Sequence, residues 1–150
     1  MIMNQIHTTI KGGKVVPGDF VRWNGTADQY YGDTSELKTS EIYRIVDIEI
    51  RSFSTNLILQ ETSTGTIFEA SFNALLFQKV EIQNAIASRN PWVGYRYDIS
   101  KVVMSDGHLA YYPGTTSRVI ARYHQGNSNW YVVTRNSVYN VMVVLPDYET

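Results

Sequence analysis

The chain has 150 residues, of which 43% are hydrophobic and 18% are charged, and its formal net charge at pH 7 is −1. This composition is typical of a globular protein and excludes a disordered chain, and the low charge gives no strong field to attract nucleic acid or an anionic membrane. Cysteine is absent, which excludes disulfide bonds and thiolate metal sites. Because no run of about 18 apolar residues occurs, no membrane-spanning helix is expected.

The first part of the chain predicts an arm, a turn, a strand and a long loop. We interpret residues 1–14 as an N-terminal arm, because Gly12-Gly13 interrupts any regular element. Residues 15–23 predict a tight turn at Pro17-Gly18 that leads into a strand. The polar residues 26–40 then predict a long loop of the kind that often carries function.

Residues 42–50 alternate between apolar and polar side chains, which predicts a strand with one buried face. The side chains that we expect on that face are Ile42, Arg44, Val46, Ile48 and Ile50. The following segments predict two more strands, one helical turn and a last short strand, at residues 56–60, 66–70, 72–77 and 78–81.

The second half begins with the one helix that the pattern favours, over residues 82–90, where Ile82, Ala85 and Ile86 share a helical face. Asn90-Pro91 ends it, since a residue before proline avoids the helical region. The later segments repeat the strand triplet of the first half, now at residues 116–123, 130–134 and 138–141. We therefore predict an all-β, mainly antiparallel protein with these parts: an arm (1–14), a small β-barrel (15–81), a helical linker (82–91) and a second small β-barrel (92–150).

The first half also resembles a known class of protein. The segment Leu37-Lys38-Thr39-Ser40-Glu41-Ile42-Tyr43-Arg44-Ile45 is similar to the motif Leu-Lys-x-Gly-x-x-Tyr-x-Val of small Src-homology-three-like barrels in phages and mobile elements, with Ser40 where glycine is usual. Phe72-Asn73-Ala74-Leu75-Leu76-Phe77 is similar to their closing Phe-Asn-Ser-Val-Trp-Phe stretch. The resemblance covers residues 15–80, and the second half only loosely, and it implies a small barrel of this class. Together with the repeated strand triplet, it leads us to predict two such barrels in tandem. It carries over no catalytic residues, because fold likeness alone does not give function.

No motif predicts catalysis, and no cofactor or metal is expected. Lys11-Gly12-Gly13-Lys14 lacks the spacing of a phosphate-binding loop. His7, His108 and His124 lie too far apart in sequence for the usual spacing of metal ligands. Asp106 with His108 indicates a solvated turn, and Asp47 with Glu49 indicates the solvent face of a strand.

Aromatic and basic residues in the predicted loops are the candidate contact residues. Aromatic rings in such loops can anchor a peptide, stack on bases or hold a cation, although they can also fill two small cores. The candidate partner-binding residues are Trp23, Tyr30, Tyr31, Phe53, Tyr111, Tyr112, Arg118, Arg122, His124 and Trp130. Residues 107–146 also lack any Asp or Glu and carry three arginines.

These observations favour a binding protein without catalytic activity. The resemblance implies a phage or mobile-element accessory protein that docks on a host or viral protein. The predicted role is to block a host protein, such as a defence factor, in the cytoplasm of an infected bacterium. The alternatives are a virion structural protein that assembles through the arm, a nucleic-acid-binding module that uses residues 107–146, and a small-molecule sponge or hydrolase with a pocket between modules or protomers. No membrane partner is expected, and self-association into a homo-oligomer stays open.

Overall fold

The computed structural model describes residues 5–27, 31–111 and 115–145, with the side chain of Tyr111 left out. In these residues the chain is built from β-strands in mainly antiparallel sheets that include a half-barrel, which confirms the predicted all-β class. The chain divides into two compact units, Met1–Glu81 and Ile82–Thr150. Each unit has a buried apolar cluster of its own.

The described strands of the first unit are β1 (Thr8–Ile10), β2 (Gly13–Val15), β3 (Phe20–Trp23), β4 (Tyr43–Ile50), β5 (Thr55–Glu61), β6 (Phe72–Asn73) and β7 (Phe77–Lys79). Five of them form a sheet in the order β6-β5-β4-β3-β7, in which every pair is antiparallel. The last strand, β7, therefore returns beside β3, the first strand of this sheet. Strand β4 is the central strand of this sheet, and β5 pairs with β4 on one side and with β6 on the other.

The segment interpreted as an N-terminal arm folds onto the first unit in its described part. Strands β1 and β2 pair as an antiparallel hairpin, and Gly12 at its turn has a φ of +95°, which glycine adopts without strain. Lys11 bridges Gln78 of β7, and the N–H of Lys79 donates to the carbonyl of Lys11 at 2.8 Å. Ile10 is buried in the apolar cluster. The two glycines thus make a tight turn instead of ending regular structure.

Strand β4 forms where it is predicted, but its predicted buried face is only partly right. Ile42 is buried as expected, whereas Val46 and Ile50, also expected inside, are exposed, and Tyr43 and Ile45 are buried instead. A β-bulge between Ile45 and Asp47 adds one residue to the strand, so the later alternation is shifted and Ile48 is buried as expected. The Asp47 carboxylate accepts a hydrogen bond of 2.9 Å from the N–H of Ile48, which stabilises the bulge.

The predicted helical turn in residues 72–77 is confirmed as a 3-10 turn at Ala74–Leu76. The Asn73 side chain caps it by accepting a hydrogen bond of 2.9 Å from the N–H of Leu75. The strand predicted at residues 66–70 is wrong in extent. The structure has only an isolated β-bridge there, between Gln60 and Ile67. Strand β6 forms the next ladder with β5 instead.

The described strands of the second unit are β8 (Ile82–Ala87), β9 (Arg96–Asp98), β10 (Lys101–Val103), β11 (Leu109–Tyr111), β12 (Thr115–Gly126), β13 (Asn129–Thr134) and β14 (Val138–Val143). They form one sheet in the order β11-β10-β8-β14-β13-β12-β9. The pair β8–β14 is parallel and the other pairs are antiparallel. Three consecutive strands pair antiparallel in each unit, β4–β5–β6 in the first and β12–β13–β14 in the second, but the sheet orders differ.

The helix predicted over residues 82–90 is wrong, because residues Ile82–Ala87 form strand β8. This strand pairs with β14 on one side and with β10 on the other. Ala85 and Ala87 are both buried, which is the two-residue period of a strand. The hydrogen bonds to two partners distant in sequence outweigh the local preference for a helix.

Candidate functional site

The turn between β8 and β9 carries two exposed aromatic side chains. Trp92 is 58% exposed and Tyr95 is 71% exposed. The turn is attached to β12 by two hydrogen bonds of 2.9 Å, from the N–H of Gly94 to the carbonyl of Val119 and from the N–H of Val119 to the carbonyl of Tyr95. The backbone therefore holds these rings in place without burying them.

Four side chains form a row that begins at Trp92, which we call the stack. The guanidinium carbon of Arg122 lies 4.2 Å from the ring centroid of Trp92 and 4.7 Å from that of Trp130. The His124 ring lies 4.6 Å from the Trp130 ring, centroid to centroid, at an angle of 46°. The stack thus runs His124–Trp130–Arg122–Trp92.

The strand geometry explains how three members of the stack meet. Arg122 and His124 are two residues apart on β12, so they share one face of the sheet. Trp130 of β13 is the cross-strand partner of His124, which places its ring on the same face. Arg122 is fixed further by a hydrogen bond of 2.9 Å that its Nη1 donates to the carbonyl of Pro91. A planar guanidinium group suits this position because it stacks on aromatic rings and donates at its edge.

Two more arginines lie on the neighbouring strand pair. Arg96 of β9 and Arg118 of β12 are direct cross-strand partners, and both side chains are exposed. Arg118 donates a long hydrogen bond of 3.5 Å from Nη1 to the carbonyl of Gly94. Among the described residues of the second unit, the carboxylates are those of Asp98 and Asp106. This surface is therefore rich in positive charge.

Both of these carboxylates are already paired. Asp98 accepts a contact of 2.8 Å from Arg89, and Asp106 contacts the Nδ1 of His108. Hydrogen bonds from His108, first from its backbone N–H, lower the pKa of Asp106. Asp106 therefore stays charged within its own turn.

A small cavity of 260 Å³ opens beside the exposed rings. Its lining residues are Arg89, Asn90, Trp92, Tyr95, Arg96 and Tyr97. Cavities that enclose a drug-sized ligand measure roughly 300–1,000 Å³, so this one suits a single side chain better. The Tyr97 hydroxyl donates a hydrogen bond of 2.7 Å to the carbonyl of Arg89, and burial raises the pKa of Tyr97, so the phenol is neutral at physiological pH.

The structure brings together some of the candidate residues predicted from sequence. Arg122, His124 and Trp130 meet in the stack, and Arg118 lies on the same strand as two of them. Tyr111 belongs to strand β11 by its backbone. Tyr30 and Tyr112 lie outside the described residues.

The first-unit candidates are separate from one another. Trp23 and Tyr31 are half-buried against the apolar cluster of that unit, and the Nε1 of Trp23 donates to the carbonyl of Thr26 at 2.9 Å. These two rings fill part of the core, which is the alternative to partner binding that the sequence left open. Phe53 is fully exposed in the turn between β4 and β5.

Sequence reasoning missed Trp92, Tyr95 and Arg96, because the candidates were taken from predicted loops and no loop was predicted at these residues. The signal that could have found them is the pair Pro91 and Gly94. These residues favour a turn, and a turn places the large apolar side chains beside them in solvent.

The carboxylates of Asp47, Glu49 and Asp106 make contacts with residues next to them or two positions away in the chain. No group of three or more His, Asp or Glu side chains that could hold a metal ion occurs in the described residues. Asp47 is used in the β4 bulge, and Glu49 pairs with Arg51 at 3.1 Å. Lys11 and Lys14 flank a hairpin turn that leads directly into strand β2, whereas a phosphate-binding loop leads into a helix.

Comparison with models of known protein families, with curated proteins and with solved structures finds no match to this chain. In the described ranges, no helix has the length and hydropathy needed to cross a membrane. The site must therefore be interpreted from its own chemistry.

Proposed function

We propose that this protein is a non-catalytic binding protein that docks on another protein through the surface formed by the stack and Tyr95. The observation that carries the proposal is the position of Trp92. Its ring is held against Arg122, yet more than half of the side chain is exposed. Tryptophan, tyrosine and arginine are the residue types that dominate binding energy at protein interfaces.

The stack also prepares this surface for binding. Arg122 is held by two rings and one backbone carbonyl, so little side-chain freedom remains to be lost when a partner docks. A pre-organised side chain costs less entropy on association than a mobile one, for which the loss is about 0.5–1.5 kcal/mol. A rigid, partly apolar surface with positive charge at its side favours a partner with an apolar and acidic face.

We further propose that the partner is a bacterial host protein, such as a defence factor, which is blocked by occlusion of its surface. Support comes from the resemblance of residues 15–80 to small Src-homology-three-like proteins of phages and mobile elements. The place of action under this proposal is the cytoplasm of an infected bacterium. Occlusion needs no catalytic group on this chain.

The proposal is tested by affinity capture from bacterial lysate, identification of the bound protein, and measurement of its affinity as a purified pair. Replacing Trp92 by Ala, and separately Tyr95 by Ala, should each weaken that affinity. At an interface hot spot the expected loss is about 2 kcal/mol or more, which is roughly thirtyfold in Kd.

Two further variants make the result specific. Leu109→Ala removes another exposed apolar side chain, on β11 at the opposite edge of the same sheet, and should leave the affinity unchanged. Phe53→Ala reports whether the first unit contributes to binding. If Trp92→Ala binds the purified partner as tightly as the wild type does, the proposed surface is wrong.

A further inference from the structure

Arg96 and Arg118 place two positive charges side by side on the surface next to the cavity. We infer that this pair forms a fork that binds the carboxylate of an acidic segment in the partner protein, while the residue beside that carboxylate fills the cavity at Trp92. The inference rests on the proposed function and names the chemistry that the partner must present.

Arg96 and Arg118 are direct cross-strand partners beside a register shift in β12 between Thr115 and Arg118, so one carboxylate can reach both side chains. Residues directly opposite each other on antiparallel strands have Cβ atoms about 4.5–5.5 Å apart and project from the same face. On β9, Tyr97 is buried while Arg96 is exposed, and on β12, Thr116 and Val119 are buried while Arg118 is exposed. Both arginines therefore project outward from neighbouring backbone positions.

Like charges in direct cross-strand positions are destabilising in the isolated protein. No ion pair relieves this repulsion within the described residues, since Asp98 pairs with Arg89 and Asp106 contacts His108. A bound carboxylate would convert the repulsion into two charge-assisted hydrogen bonds. Relief of the repulsion between Arg96 and Arg118 therefore adds to the free energy of binding an anionic partner.

The charge distribution along the chain supports an anionic group at this place. Residues 82–150 carry six Lys and Arg against four Asp and Glu, whereas residues 1–81 carry seven Lys and Arg against ten Asp and Glu. The unit that holds the fork therefore has a formal net charge of +2, because it has fewer acidic residues, whereas residues 1–81 have a formal net charge of −3.

The observations favour an acidic protein segment over a nucleic acid. Single-stranded nucleic acid binds by stacking successive bases on open aromatic rings along a basic groove. Here Trp130 already contacts Arg122 and His124, and Trp92 already contacts Arg122. The cavity of 260 Å³ has room for one side chain instead of a track of bases. A single carboxylate needs only the local fork.

The test is an NMR titration of the isotope-labelled full chain with a short glutamate-rich peptide that contains one leucine. The same peptide with glutamine in place of glutamate is the first control probe, and a thymidine oligonucleotide of equal length is the second. We expect saturable shifts of the Arg96 and Arg118 side-chain Nε–H signals and of the Trp92 indole signal with the glutamate peptide. The glutamine peptide should bind at least about tenfold more weakly, because the charge-assisted bonds are lost.

The matched variants are Arg96→Gln with Arg118→Gln, and Lys101→Gln as the control that removes one exposed positive charge from β10 of the same sheet. The double variant should raise the Kd for the glutamate peptide by about tenfold or more, and Lys101→Gln by less than about twofold. Retained backbone spectra show that the variants are folded.

Three outcomes overturn the inference: equal binding of the two peptides, no saturable binding of either, or tighter binding of the oligonucleotide at the same residues. The purified partner separates this inference from the proposed function. Suppose that the partner binds the Arg96→Gln, Arg118→Gln variant with wild-type affinity but binds Trp92→Ala more weakly. The inference about the fork is then wrong, and the proposed docking surface stands. If Trp92→Ala has no effect, the docking surface is wrong.

Discussion

The Arg122 guanidinium carbon lies 4.2 Å from the centroid of the Trp92 ring, although 30 positions separate these residues in the chain. The same guanidinium group donates a hydrogen bond of 2.9 Å to the carbonyl of Pro91, next to that ring. One side chain of β12 therefore fixes both the backbone and the aromatic ring of the turn before β9. This contact makes the exposed ring a rigid feature of the surface.

The stack predicts a measurable coupling between Arg122 and Trp92. In a double-mutant cycle with Arg122→Gln and Trp92→Leu, the free energies of unfolding should be non-additive by about 0.5–1 kcal/mol, the size of an exposed cation–π contact. Urea denaturation of the wild type, the two single variants and the double variant measures this term. Arg122→Lys should recover only part of it, since an ammonium group cannot stack as a planar guanidinium does. Additive free energies would show that the contact carries no energy.

Tyr97 predicts a loss of stability at alkaline pH. Burial raises the pKa of its phenol above the ordinary value of 10.0, while the unfolded chain titrates near that value. Above about pH 10 the unfolded state therefore loses its proton first, so the stability gained from the neutral phenol is present below that pH and falls as the pH rises. Urea unfolding at about pH 8, 9, 10 and 11 measures the slope.

Tyr97→Phe is the matched variant for this effect. It removes the titrating group and the hydrogen bond to the Arg89 carbonyl, so it should cost about 0.5–1.5 kcal/mol at neutral pH. Its stability should then fall less steeply than that of the wild type between about pH 9 and pH 11. Tyr43, whose pKa is also raised by burial, remains in this variant and accounts for a residual slope. Identical slopes for both proteins would contradict the assignment to Tyr97.

The geometry of the N-terminal hairpin leads us to expect that Gly12→Ala lowers the stability of the folded protein. A Cβ at this position would lie 3.1 Å from the Cβ of Lys79 and 3.3 Å from its backbone N, and the φ of +95° is unfavourable for alanine. The expected loss exceeds about 1 kcal/mol, because steric contact adds to backbone strain. Gly65→Ala is the control, since its φ of +77° is similarly unfavourable but no atom lies within 4 Å of the added Cβ. Equal thermal-melting shifts for the two variants would show that the hairpin does not pack on β7.

Because the two apolar clusters are separate, we expect a cavity made in one unit to destabilise mainly that unit. Leu59 is fully buried in the cluster of the first unit, so Leu59→Ala should cost about 2–5 kcal/mol. In native-state hydrogen exchange, the amides of β4 and β5 should lose protection, whereas those of β13 and β14 should keep it. Equal loss of protection in both units would show that they unfold as one.

Local patterns in the sequence determined most of the strands. The alternation in residues 42–50 and in the segments that became β5, β12, β13 and β14 reflects the two-residue period of side chains in a strand, which any sheet must satisfy. The Asn73 cap and the tight turn at Gly18, where φ is +97°, also follow from local chemistry. The sequence alone also showed that residues 107–146 contain three arginines and no Asp or Glu.

Only the tertiary structure decided the identity of β8, the bulge in β4 and the composition of the stack. The segment from Ile82 to Ala87 is a strand because β10 and β14 supply hydrogen-bond partners on both sides, and neither partner is near it in sequence. Trp92 joins Arg122 and Trp130 because the turn after β8 is attached to β12 by backbone hydrogen bonds. Pairing between distant segments depends on the whole chain, so no local pattern could have placed these three side chains together.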